Sequence, residues 1–237
     1  MIDVKGKWAL ITGASRGIGR LAALDYAGMT LEEAVSAVEG PILVTAFEPF
    51  GGDKLNPTQL VLERLPEKIG GRRLENVLLP VEFGRSREIA CAAYDRVRPA
   101  AVVMLGLAGT RGEITPETTG RNLMKARIPD NAGYQPQDLP IAEGGPEELA
   151  STFPIDAIIA AVGRAGVPCR ISHSAGLYVC NSLLFSMLWH NGGAVPTGFI
   201  HVPAVPEMGY ADKPSLAFDD IYKGIAAALE AVAGELK

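Results

Sequence analysis

Cysteine and histidine are scarce in this chain, with 3 of each among its 237 residues. Cys91, Cys169 and Cys180 are too scattered for a disulfide framework, and together with the histidines they show no zinc-ligand spacing. Basic residues number 22 and acidic residues 27, so the formal charge of −5 gives no electrostatic footprint for nucleic acid. We therefore predict reduced thiols, no metal site and no nucleic-acid partner.

Long hydrophobic runs are also missing, because no apolar stretch reaches the roughly 18 residues that a membrane helix needs. Residues 1–7 are polar and charged, which is not the pattern of a secretory signal. The composition, with 48% hydrophobic and 21% charged residues, is typical of a globular domain. These features predict a cytoplasmic protein without a membrane partner.

Short apolar runs alternate with longer amphipathic stretches, which predicts a three-layer α/β/α fold with a mostly parallel central sheet. The run 100–106 is apolar on both faces and is the clearest buried strand. Other strands are predicted at 41–47, 74–80, 168–173 and 197–202. Helices are predicted at 56–65, 86–97, 155–165, 180–190 and 215–236. Residues 128–146 are rich in Pro, Gly, Asp and Asn and are predicted to be a long ordered loop.

The sequence TGASRGIG at residues 12–19 follows a predicted strand at 7–12 and opens a predicted helix at 17–26. This is the context of a dinucleotide-binding glycine turn, where backbone amides and a helix N-terminus face a pyrophosphate. Residues 4–27 resemble the opening of short-chain dehydrogenases/reductases. The Tyr-x-x-x-Lys pair of that family has no match, since the residue four positions after Tyr94 is Arg98 and the residue four positions after Tyr178 is Ser182.

The break at Gly40-Pro41 divides the chain in two. We predict that residues 1–39 form an extra βα segment without nicotinamide chemistry, and that residues 40–237 form the single main domain. No cofactor is predicted, and an NAD(P)-dependent reductase remains the alternative function.

Three side chains from distant motifs are predicted to meet at one sheet edge. Cys180 precedes an apolar helix, whose N-terminus is expected to lower the pKa of the thiol and favour thiolate. His201 lies at the carboxyl end of the strand 197–202, and Glu117 lies in the loop after the strand 100–106. Because the carboxyl ends of parallel strands share an edge, the carboxylate can orient the imidazole there. Cys91 and Cys169 belong to no motif and are predicted to be structural.

Six short motifs follow in order from residue 44 onward. They are VTAFEPFGG (44–52), GLAGTR (106–111), ITPE (114–117), ARIPDN (126–131), SAGLYVCN (174–181) and GFIHVP (198–203). This series resembles the pyroglutamyl peptidase I family, the pyrrolidone-carboxylate peptidases. The resemblance implies a cysteine exopeptidase that removes N-terminal pyroglutamate from peptides and needs neither a metal nor an organic cofactor.

Several residue roles come with this resemblance. It implies that Cys180 is the nucleophile, His201 the base and Glu117 the third member of the triad. Family members are often oligomers, so a homodimer or homotetramer is implied as well. A catalytically inactive binding protein remains a further alternative.

A pocket for pyroglutamate, a small, flat, neutral lactam, should be apolar with aromatic walls. Four residues match positions that line the family's pocket: Phe47, Phe50, Tyr178 and Val179. Arg127 matches a family arginine near the reacting carbonyl, and it either supports the oxyanion or fastens the loop 128–146. The backbone N–H of Cys180 is the favoured oxyanion donor. Leu107 stands where bacterial members often have Gln, which puts one polar contact with the lactam or the loop in doubt.

Overall fold

The structure is a computed structural model, and it describes residues 40–236. The predicted strand 7–12, glycine turn 12–19 and helix 17–26 lie outside the described residues. The division of the chain near Gly40 therefore stays a prediction.

A six-stranded sheet forms the centre of the described part. Its strands are β1 Ile42–Phe47, β2 Lys68–Ile69, β3 Arg72–Leu79, β4 Ala101–Leu107, β5 Thr115–Pro116 and β8 Thr197–Val202. Their order is β2-β3-β1-β4-β8-β5. β3, β1, β4 and β8 are parallel, whereas β2 and β5 pair antiparallel at the two edges. β6 Thr119–Arg121 and β7 Glu148–Ala150 form a separate two-stranded sheet. The mostly parallel sheet predicted from the sequence is confirmed.

Helices cover both faces of the sheet. They are α1 Pro57–Arg64, α2 Phe83–Val97, α3 Ile155–Arg164, α4 Val179–Asn191 and α5 Phe218–Glu235. One core lies between the sheet and α1, α3 and α5, and the other lies between the sheet and α2 and α4. β1, β4 and β8 are buried on both faces, which explains why these strands are continuous apolar runs. The predicted α/β fold with covered faces is thus confirmed.

Local sequence fixes where the helices start. α1 begins with Pro57, and the side chain of Asn56 accepts a hydrogen bond from the Thr58 N–H at 3.0 Å. A capping side chain followed by proline is a standard helix start, because proline lacks an N–H that would otherwise be unpaired. α4 is buried on nearly all sides, so it lies inside the domain rather than on its surface.

The predicted strand at 168–173 is wrong. This segment forms only isolated bridges, Ile114 with Cys169 and Glu117 with Ser172. Backbone hydrogen bonds do join this segment to residues 114–118. The Ile114 N–H donates to the Pro168 carbonyl, and the Ser172 N–H donates to the Pro116 carbonyl. Pro116 has no N–H to donate in return, so the ladder is interrupted at that residue.

Candidate active site

A cavity of about 960 Å³ opens at the carboxyl ends of the parallel strands. Phe47 of β1, Leu107 of β4 and His201 of β8 all line it. Ligands of parallel α/β sheets bind at this edge, and the predicted site residues lie around the cavity or directly behind its wall.

The Cys180 side chain enters this cavity from the first turn of α4, where it is the second helical residue. Its Sγ lies directly above β4, because a Cβ added to Gly106 would be only 3.1 Å away from it. Gly106 is the register partner of His201 on β8. Register partners in parallel strands point to the same face, so Sγ and the imidazole share one face of the sheet.

Glu117 orients the imidazole from the edge of the sheet. It directly follows β5, which pairs with β8 at Thr115–His201. His201 Nδ1 lies 2.7 Å from Glu117 Oε1, with only 4% of His201 and none of Glu117 exposed. A carboxylate next to Nδ1 favours the imidazole tautomer that carries its proton on Nδ1, and Nε2 is then free to accept a proton.

Arg111 is a functional residue that the sequence analysis missed. Its guanidinium donates to Glu117 Oε1 at 2.7 Å, to Thr115 Oγ1 at 2.5 Å and to the Ser174 carbonyl at 3.0 Å. Arg111 and the imidazole of His201 therefore contact the same carboxylate oxygen, Glu117 Oε1. The available signal was the place of Arg111 in the GLAGTR motif, six residues before Glu117 in the same connection.

The cavity environment sets the protonation of the three groups. Burial, reinforced by the negative charge of Glu117, raises the pKa of Cys180 to about 12. Burial also lowers the pKa of His201 below its ordinary value, although Glu117 opposes this shift. Burial on its own would raise the pKa of Glu117. The hydrogen bond and charge of His201, together with the hydrogen bond from Arg111, outweigh burial, so the pKa of Glu117 lies below its ordinary value.

Burial therefore favours the neutral forms of the thiol and the imidazole, whereas the contacts of Glu117 favour its carboxylate form. For the thiol, this direction of the pKa is opposite to the one expected from the helix N-terminus alone. The backbone N–H at Cys180 does lower the pKa of the thiol, but the desolvation cost of a buried thiolate is larger.

Aromatic side chains wall the part of the cavity nearest the thiol. Phe50 packs against Tyr178 with ring centroids 6.1 Å apart, and Phe47 and Val179 are almost completely buried beside them. The Tyr178 hydroxyl donates to the Pro129 carbonyl at 2.9 Å, and Phe83 meets the ring edge-on at 5.3 Å. This wall is thus fixed in place before any ligand binds.

Arg127 lies on the cavity wall with an exposed side chain. The loop around it is fastened by other residues: Asp130 accepts from the backbone N–H of Phe83, Ala132 and Tyr134, while Gln135 and Gln137 donate to the Ala126 carbonyl. Asp130 was not identified from the sequence. Leu107 also lines the cavity, at the end of β4.

Residues 41–235 match the family model described as pyroglutamyl peptidase. The chain belongs to this family. It is 40% identical over 196 residues to the pyrrolidone-carboxylate peptidase of Lactobacillus johnsonii, covering 81% of this chain and 91% of that protein. The enzyme of the same name from Thermococcus kodakarensis is 40% identical over 199 residues, covering 82% and 97%.

Solved structures of the pyroglutamyl peptidase family agree with the fold. A mutant pyrrolidone carboxyl peptidase from Pyrococcus furiosus matches with a TM-score of 0.80 at 37% identity, over 83% of this chain and all of that one. Pyroglutamyl peptidase I from Bacillus amyloliquefaciens matches with a TM-score of 0.79 at 33% identity, over 83% and 98%. The chain is accordingly a cysteine peptidase.

Two further properties concern residues 40–236 only. No helix in this range has the length and apolar character required to cross a membrane. No group of three or more His, Cys, Asp or Glu side chains in this range is placed to hold a metal ion.

Proposed function

We propose that this pyroglutamyl peptidase family member hydrolyses the amide bond after an N-terminal pyroglutamyl residue, using Cys180, His201 and Glu117. The observation that carries the proposal is the 2.7 Å contact between His201 Nδ1 and Glu117 Oε1, on the sheet face above which the Cys180 thiol lies. A nucleophile, a base and an oriented carboxylate around one cavity are the parts that thiol acyl transfer requires.

The first half of the reaction transfers the acyl group to sulfur. His201 Nε2 takes the Cys180 thiol proton as Sγ attacks the pyroglutamyl carbonyl carbon, and Glu117 stabilises the imidazolium that forms. The backbone N–H of Cys180, in the first turn of α4, is the donor that we assign to the developing oxyanion. The imidazolium then protonates the leaving amine, the C–N bond breaks, and a pyroglutamyl thioester remains.

The second half regenerates the thiol. His201 deprotonates a water molecule that attacks the thioester carbonyl, and its imidazolium then returns the proton to the departing sulfur. Pyroglutamate is released, and the site returns to its neutral resting state.

The cavity suits a neutral lactam better than an ordinary peptide N-terminus. Phe47, Phe50, Tyr178 and Val179 offer flat apolar surfaces for the ring. No carboxylate among residues 40–236 lines the cavity, so an α-ammonium group would lose its hydration without gaining an ion pair. The volume of about 960 Å³ also leaves space for the peptide beyond the lactam.

Cys180→Ser is the direct test, with hydrolysis of a pyroglutamyl aminocoumarin amide as the assay. Loss of the thiol nucleophile is expected to reduce kcat by more than about a thousandfold. Cys91→Ser and Cys169→Ser are matched controls, because both thiols are half-buried like that of Cys180 but neither lines the cavity. Both controls are expected to keep turnover. Activity in Cys180→Ser together with loss in either control would contradict the assignment.

The alternatives make opposite predictions. A reductase would bind NADPH through residues 12–19, which lie outside the described residues, whereas we expect no change in NADPH fluorescence on mixing. An inactive binding protein would leave the amide intact. The cytoplasmic location and the homodimer or homotetramer stay predictions.

A further inference from the structure

The cavity wall is strongly cationic although the whole protein is acidic. Four basic side chains line it: Arg111, Lys125, Arg127 and Lys213. Within the described range 40–236, no Asp or Glu side chain lines the same cavity. The chain as a whole carries a formal charge of −5, so composition alone would favour the opposite balance at this site.

Two of these cations are already compensated. Arg111 is paired with Glu117 at 2.7 Å, and Lys125 is paired with Asp138 at 3.0 Å. Arg127 and Lys213 have no carboxylate partner among residues 40–236. The cavity therefore retains about two uncompensated positive charges, and both side chains are exposed enough to reach a bound molecule.

Different segments of the chain supply these two cations. Lys213 Nζ lies 4.4 Å from the ring centroid of Tyr210, and that ring packs against the connection after β4 at Gly109. The Tyr210 hydroxyl donates to Asp53, which holds the ring in place. Arg127 belongs instead to the loop that begins at Ala126. Neither cation is part of the aromatic wall that surrounds the thiol.

We propose that Arg127 and Lys213 form a subsite for a carboxylate on the leaving side of the scissile bond. The inference rests on the proposed peptidase function and specifies its preferred substrates. The pyroglutamyl group has no charge, so in a pyroglutamyl dipeptide with an uncharged second side chain the C-terminal carboxylate is the only formal charge. The preferred substrates are pyroglutamyl dipeptides with a free C-terminus and peptides with Asp or Glu after the pyroglutamyl residue.

The experiment compares kcat/KM for matched peptides at low salt. Pyroglutamyl-alanine is set against its C-terminal amide, and pyroglutamyl-aspartyl amide against pyroglutamyl-asparaginyl amide. In at least one of the two pairs, kcat/KM of the anionic peptide is expected to be about fivefold higher than that of the neutral peptide, which is the upper range for one exposed ion pair. The advantage should shrink as salt screens the charges. An advantage in the alanyl pair assigns the subsite to the α-carboxylate, and one in the aspartyl pair to the side chain.

Lys213→Gln and Lys213→Glu test the assignment of the cation, with Lys223→Gln on α5 as a matched exposed lysine that does not line the cavity. The anionic-to-neutral ratio is expected to fall in Lys213→Gln, to fall further in Lys213→Glu, and to stay at the wild-type value in Lys223→Gln. An anionic-to-neutral ratio of kcat/KM equal to one for the wild-type protein at low salt would overturn the subsite proposal but not the peptidase function. An unchanged ratio in Lys213→Glu would do the same. Cleavage of none of the peptides would overturn the peptidase function with it.

Discussion

Replacing Gly106 with Ala tests the position of the nucleophile without altering any reacting group. The added methyl would lie 2.6 Å from two ring atoms of Phe199 and 3.1 Å from Cys180 Sγ. Phe199 is completely buried, and its ring lies 4.8 Å from the His201 ring, so it cannot withdraw without disturbing the imidazole. We expect the overpacking to cost about 1–3 kcal/mol of unfolding free energy.

The effect on activity should be larger than the loss of stability suggests. A displacement of about 1 Å between the thiol and the base can reduce the rate on the order of a hundredfold. Urea unfolding measures the stability, and hydrolysis of the aminocoumarin amide at temperatures where the variant is folded measures kcat/KM. Loss of both quantities is the expected outcome.

Gly163→Ala in α3 is the matched control. A Cβ at Gly163 meets nothing within 4 Å, and in the last turn of a helix alanine is favoured over glycine by at most about 0.5–1 kcal/mol. This variant should be fully active and slightly more stable. Wild-type stability and kcat/KM in Gly106→Ala would show that Sγ does not pack above β4, and the reasoning would be refuted.

The remaining predictions concern the pH profile and the boundaries of the domain. kcat/KM should rise with pH through an apparent pKa below the ordinary value of histidine, because burial lowers the pKa of His201 and the base must be neutral. Glu117→Gln should move this rise to lower pH, because Glu117 raises the pKa of His201, and it should cost less activity than His201→Ala. Arg111→Met should move the rise to higher pH, because Arg111 lowers the pKa of His201. Equal shifts in one direction would contradict these roles. A chain starting at Gly40 should be soluble and active, since both neighbours of β1 lie within residues 40–236; an insoluble product would contradict this.

Much of the fold could be predicted because its central strands are buried on both faces. β8 was predicted with the bounds it has, and β4 within one residue at each end. The short strands β2, β5, β6 and β7 were missed, because their two or three residues carry no periodicity. The segment 168–173 has an apolar start, but its pairing depends on the missing N–H of Pro116, a residue far away in the sequence.

The candidate site could be predicted as a set of residues but not as a set of charge states. Resemblance of the motifs to one family, together with the shared edge of parallel strand ends, predicted that Cys180, His201 and Glu117 lie around one site. The protonation of the thiol depends on how much solvent the surrounding layers exclude, and a helix N-terminus alone suggested the opposite direction. The role of Arg111 likewise required the distance between its guanidinium and the carboxylate.

The burial of α4 has a consequence for how the protein fluctuates. Ten residues of this helix are buried, so we expect local opening of its middle turns, residues 183–188, to be very costly. Amide hydrogens there should exchange with solvent only when the whole domain unfolds, whereas the exposed segments near Arg127 and Lys213 can open at much smaller cost. The thiol thus belongs to an element that we expect to keep its position during local openings of the exposed segments.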